Sequence, residues 1–86
     1  MELRDLEVFL ALVKHLNFTH AAQEIHLSQS SVSVRIRRLQ EEVGVKLVEQ
    51  VGKKILLTEA GQLFETHARR VIAVQSDMQQ ALEAYR

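Results

Sequence analysis

Cysteine and proline are absent from this 86-residue chain, and glycine occurs only three times. The missing cysteines exclude disulfides and thiolate metal sites. Without proline and with little glycine, the residues that most strongly oppose helix are nearly gone, so long helices are favoured over a sandwich of short strands. No apolar run reaches the roughly 18 residues of a membrane span, and no charged-then-apolar leader opens the chain. A soluble cytoplasmic protein with no membrane partner is the expectation. A chain of this length builds one small core and has little room for a complex active site. The four histidines, His15, His20, His26 and His67, lack i, i+4 spacing and no carboxylates accompany them in metal-ligand order. There is no glycine-rich phosphate loop, and Ser30, Ser31 and Ser33 have no His–Asp constellation beside them. No metal, cofactor or catalysis is expected, so the chain reads as a non-enzyme.

An excess of charge of either sign is also missing, because 11 Lys and Arg balance 11 Asp and Glu. Distribution matters more than the sum. Residues 1–27 hold two cations against four anions, residues 28–54 six against three, and residues 55–86 three against four, giving −2, +3 and −1. A positive middle between acidic flanks is a directed patch.

That middle contains the most informative segment. In residues 29–43, Val32, Ile36, Leu39 and Val43 fall on one stripe at ~100° per residue, with Ser30, Ser33, Val34, Arg37 and Arg38 opposite. An apolar back and a small-polar, basic front suit a helix that enters a DNA groove. Ser28 is its expected N-cap and Gly44 its left-handed stop. Before it, Leu3, Leu6, Phe9, Leu10, Val13 and Leu16 mark an amphipathic helix over roughly 3–16. Asn17 breaks that pattern and Thr19 is the expected N-cap of a short second helix carrying Ala21, Ala22 and Ile25, whose alanines permit close helix approach.

After Gly44 the periodicity changes. Leu47–Val51 and Lys54–Leu57 flank Gly52-Lys53, which predicts a two-stranded ribbon with a lysine-rich tip, read as a β-wing. Thr58 is placed to cap a last helix running toward Arg86, opposed only by Gly61. Phe64, Val71, Met78 and Tyr85 repeat every seven residues and Ala68, Gln75 and Leu82 interleave, a heptad seam imperfect at Gln75. At ~1.5 Å per residue this helix spans roughly 40 Å, longer than the body before it can cover. Its apolar side is expected to meet a second copy of the chain; the alternative is that it folds back onto the first helix. Residues 1–57 thus read as the compact domain and 58–86 as a linker helix for dimerisation.

The ordered set Leu6 and Phe9, Asn17-Phe18-Thr19 with Ala21-Ala22, Ser28-Gln29, Val32-Ser33, Ile36, Leu39, Gly44, Leu47 and Leu57-Thr58-Glu59-Ala60-Gly61 resembles the N-terminal DNA-binding domain of LysR-type transcriptional regulators, over essentially the whole chain. The resemblance implies a mainly α, winged helix-turn-helix fold: three helices, a two-stranded wing, and a long C-terminal helix that pairs subunits. It also implies double-stranded DNA as partner, helix 29–43 in the major groove and wing 47–57 at the minor groove. Family members usually carry a C-terminal effector-binding domain and often form tetramers, so a small-molecule inducer would act only through a domain this sequence does not contain. Three positions depart from the family pattern. Leu47-Val48-Glu49-Gln50 puts a neutral amide where an arginine is usual, Ser30-Ser31 replaces Pro-Ala, and Leu39-Gln40 replaces Leu-Glu.

Base readout falls to side chains near the start of the third helix: Gln29, Ser30, Ser33 and Val34, with the amide suited to adenine and the valine to a thymine methyl. Capping of the first turn competes for Gln29 and Ser30, and Val34 can equally be an exposed aliphatic. Arg35, Arg37 and Arg38 are assigned to phosphate, with Thr19 and Ser31 as hydroxyl donors. Lys53 and Lys54 are the wing contacts, although lysine inserts into a narrow minor groove less readily than arginine. The rival function is a helical protein-interaction module whose basic face is incidental. A membrane-surface helix is disfavoured, because helix 29–43 lacks an aromatic anchor and its apolar face is needed by the core.

Overall fold

The computed structural model describes all residues 1–86, in the order α1 (Leu3–His15), α2 (Phe18–Ile25), α3 (Gln29–Val43), β1 (Val48–Val51), β2 (Lys54–Leu57) and α4 (Glu59–Glu83). The central element is α1, which α2, α3 and α4 all pack against. For that reason its buried residues are not the single stripe the periodicity suggested. Leu6, Val8, Phe9, Ala11 and Leu12 are buried, whereas Leu3 and Leu16, at the ends of the expected stripe, are exposed. A helix surrounded on three sides buries more of its circumference than a surface helix does.

The core joins Val8, Phe9, Ala11 and Leu12 of α1 with Ala21, Ala22 and Ile25 of α2, Val32, Ile36 and Leu39 of α3, and Leu47 before the wing. The two alanines let α2 lie close to its neighbours, as their size required. No buried polar side-chain atom lacks a partner, so core packing meets no uncompensated desolvation.

Helix ends are set by local chemistry. Leu16 takes a left-handed conformation (φ 49°) and ends α1, its N–H donating to the Leu12 carbonyl. The N-cap of α2 is Asn17 and not Thr19: the Asn17 side chain accepts from the His20 N–H at 2.9 Å. Asn17 is extended (φ −154°), as a cap must be, while Thr19 already lies inside the helix. Ser28 caps α3 by accepting from Ser31 N–H at 3.1 Å, and Gly44 (φ 78°) ends it, both as expected. Thr58 caps α4 through Gly61 N–H.

The strands are antiparallel, with Val48 opposite Leu57 and Val51 opposite Lys54, leaving Gly52-Lys53 as a two-residue turn. Ile55 is buried and Leu57 and Val48 half-buried on the side facing the body, while Lys54 and Leu56 are exposed.

The first part of the last helix takes the fold-back alternative that the sequence left open. Its first turns fold back on α1: Ala68 is 2% exposed, and Phe64 meets Phe9 edge to face at 5.0 Å between centroids. Phe64 and Ala68, expected in a dimer seam, are therefore committed to the protomer's own core. Beyond them α4 runs past the body, giving a molecule 51 Å long and 25 by 19 Å across.

Candidate nucleic-acid interface

The turn between α2 and α3 is three residues, with His26 left-handed (φ 59°) and its N–H donating to the Ala22 carbonyl. Leu27 N–H also returns to Ala22, so the chain reverses tightly and sets α3 across α2. The N-terminus of α3 then carries a small hydroxyl network: Ser28 Oγ lies 2.9 Å from Ser31 Oγ and 3.2 Å from Ser30 Oγ. Ser30 and Ser31 are thus tied to the cap, whereas the exposed Gln29 and Ser33 side chains bond to nothing within the chain.

Past this turn α3 stands as a ridge between two open clefts of unlike charge. One, of about 840 Å³, is lined by Ser30, Ser31, Val34, Arg35 and Arg38 but also by Glu2, Asp5, Glu41 and Glu42. The other, of about 450 Å³, lies between α3 and the wing and is lined by Ser33, Arg37, Gln40, Lys46 and Gln50, with Glu49 as its acid. Lys46 joins Arg37 here although sequence reasoning had not singled it out. The only signal was its membership of the positive middle segment, since its position across a cleft from Arg37 depends on the turn at Gly44.

The three arginines part company in the fold. Arg38 is exposed and forms no ion pair, and Arg37 reaches only a loose contact with Glu41 at 3.9 Å, both side chains being at least 66% exposed, a pairing of little energetic weight. Arg35 is different: its Nη1 donates to Asp5 Oδ1 at 2.9 Å, part-buried. The Asp5 carboxylate also accepts from Glu2 N–H at 2.8 Å. Partial burial alone would push that carboxyl up, but the hydrogen bonds from Glu2 N–H and the Arg35 guanidinium outweigh it and hold Asp5 below its ordinary value. Arg35, expected on phosphate, is thereby held by α1. On the far side of the body Glu24 bridges α2 to α1, accepting from Lys14 at 2.8 Å and His15 at 2.9 Å; those two bonds depress its pKa.

Lys53 and Lys54 are exposed at the wing tip and pair with no carboxylate. Val34 is half-buried on the flank shared with Arg38.

The family model for bacterial regulatory helix-turn-helix proteins of the lysR family matches residues 3–62. The chain belongs to the LysR family. Among curated LysR-type relatives, the uncharacterized HTH-type transcriptional regulator YwqM of Bacillus subtilis is 40% identical over 86 residues, all of this chain and 29% of that protein. The DNA-binding transcriptional dual regulator OxyR of Escherichia coli is 44% identical over 72 residues, covering 84% of the chain and 24% of OxyR. The chain thus spans less than a third of the length of these relatives. Among solved structures, the BenM DBD in complex with benA site 1 DNA superposes with a TM-score of 0.94 at 30% identity, covering 100% of both chains. This LysR-family chain is accordingly of a regulatory, non-enzymatic family, and its winged helix-turn-helix is the family fold.

On α4 the family's long helix leaves an apolar face uncovered. Leu63, Val71, Val74, Met78 and Leu82 are each at least 46% exposed, and Tyr85 follows them at 87%. Spacings of three, four and eight residues place them along one side, bordering the side on which Phe64 and Ala68 pack against the body. The heptad reading leaves out Leu63 and Val74, which directly precede its seam residues Phe64 and Gln75 and so lie about 100° round the helix from them.

Proposed function

We propose that this chain binds double-stranded DNA sequence-specifically as a homodimer, with α3 in the major groove and the β1–β2 wing against the neighbouring minor groove. The observation that carries it is the charge asymmetry of the α3 ridge: Arg37 and Lys46 face a common cleft with the wing, and the exposed Arg38, Lys53 and Lys54 form no ion pair. Solved relatives in complex with DNA support DNA as the partner.

Gln29 and Ser33, unbonded within the chain, are the base readers, with Ser30 and Val34 at the edge of the contact. Arg37, Arg38 and Lys46 take phosphate and fix register, and Ser31, Thr19 and the N–H groups at the starts of α2 and α3 add neutral donors. Arg35 acts beneath them, fixing α3 to α1. The exposed stripe Leu63, Val71, Val74, Met78, Leu82 and Tyr85 pairs two copies, and the pair sets the half-site spacing. With zero net charge one copy supplies few phosphate contacts, so affinity depends on two copies acting together.

Selection of bound duplexes from a random pool, with light scattering of the same sample, tests this directly. An enriched inverted repeat occupied by two copies is the expected result. Arg37→Ala with Arg38→Ala should weaken binding strongly, lowering the salt slope by about 0.9 for each phosphate no longer neutralised, and leave the dimer intact; unchanged affinity would sink the proposal.

A further inference from the structure

We propose that Gln40 is a positioning residue for the wing: its side-chain amide oxygen clamps the base of β1 onto the recognition helix and so sets where Lys53 and Lys54 meet DNA, an inference that rests on the DNA-binding function above. Gln40 sits in the last turns of α3. Its Oε1 accepts two successive backbone bonds, from Leu47 N–H at 2.8 Å and Val48 N–H at 3.1 Å. Leu47 is 1% exposed, so without this acceptor its N–H would lose a partner in a place water scarcely reaches.

The carbonyl side of the same peptides is held from the opposite direction. Thr58 N–H donates to the Leu47 carbonyl at 3.0 Å and Thr58 Oγ1 to the Lys46 carbonyl at 2.7 Å. At Gly61 a side-chain carbon would collide with the Leu47 carbonyl oxygen, so α4 approaches this strand entry as closely as glycine allows. Residues 46–48 are therefore gripped between α3 and the start of α4, and of the two grips only Gln40 ties the wing to the helix that reads DNA.

The lever explains why this matters for binding. A four-residue strand gives an arm of roughly 13 Å, so a tilt of about 10° at its base displaces the tip by roughly 2 Å, beyond the tolerance of a charge-assisted contact. Gln40 also lines the cleft shared by Arg37, Lys46 and Gln50, yet its acceptor oxygen is occupied by backbone. Its effect on DNA is thus expected to run through the wing lysines.

The test pairs Gln40→Met, which keeps the stem and helix propensity but has no strong acceptor, with Gln40→Glu, which keeps the acceptor. Each is made in the parent chain and in the Lys53→Ala, Lys54→Ala background, and binding is followed against salt on a duplex recovered by the parent's own selection. Amide exchange at Leu47 and Val48 is read in the free proteins. Gln40→Met should speed exchange at both amides and flatten the salt slope, by about 0.9 for each wing lysine that releases its phosphate. It should change nothing further once the lysines are gone, and Gln40→Glu should restore both readouts. A parental salt slope in Gln40→Met overturns the inference, as does an equal drop in the lysine-free background or no effect of removing the lysines themselves. Unchanged exchange at Leu47 and Val48 in Gln40→Met overturns the clamp even without DNA. A parent chain that binds no duplex at any salt would instead remove the DNA-binding function, and the role of Gln40 with it.

Discussion

Arg35 and Arg38 lie three residues apart on one helix and have different work to do. Arg38 offers a free guanidinium, so Arg38→Ala should flatten the salt dependence of DNA binding by about 0.9 and leave the melting temperature unchanged. Arg35→Ala should do the reverse, costing roughly 1 kcal/mol of stability by releasing Asp5 from its part-buried partner. The Asp5 carboxyl is held below its ordinary value of 3.8. Its contribution is therefore fully present above the unfolded carboxylate pKa and is lost as pH falls through the lower folded one. Thermal melts of the parent should lose stability across that acid window more steeply than melts of Asp5→Asn, which should be less stable at neutral pH. The helical spacing set Arg38 opposite the apolar stripe and Arg35 on its flank, but it gave no sign of the partner that holds Arg35. The partner of Arg35 lies 30 residues away on α1, and only packing brings it near.

At the scale of elements, Gly61 shows how a local signal and a tertiary demand conflict. A glycine inside a helix costs about 1 kcal/mol relative to alanine, and by propensity Gly61→Ala should stabilise α4. The Leu47 carbonyl occupies the space a methyl group would need, so the variant should lose roughly 1 to 3 kcal/mol through overpacking, seen as a lower denaturant midpoint. Helix ends were legible in advance wherever the cap acts within a few residues, as at Ser28, Gly44 and Thr58. The apolar pattern puts the start of α2 two residues late, because in it Asn17 registers as a break and not as the cap it is. The wing was legible from its alternation, but its anchorage by Gln40 was not. A glutamine late in an amphipathic helix carries no sign that its amide will meet backbone seven residues on.

For the whole molecule, the question is what covers the outer side of α4. Burial of the stripe from Leu63 to Leu82 in a second copy is the proposed answer. Val74→Glu with Met78→Glu should then weaken self-association by roughly thirtyfold or more, measured by light scattering over a dilution series, while the body keeps its melting behaviour. Specific DNA affinity should fall with it, because one copy of a neutral chain carries too few phosphate contacts to hold a half-site.

By itself the sequence determined the helices, the turn between α2 and α3, the wing and the family, because each follows from spacing, capping residues and glycine positions acting over a few residues. The tertiary structure alone decided which polar and apolar groups remain available. It placed Arg35 on Asp5, Gln40 on the strand entry, and Phe64 and Ala68 in the core, while leaving Arg38, Lys46, Leu63 and Val74 free. A side chain's availability depends on whether a partner distant in sequence satisfies or covers it, and that partner is fixed only when the helices pack.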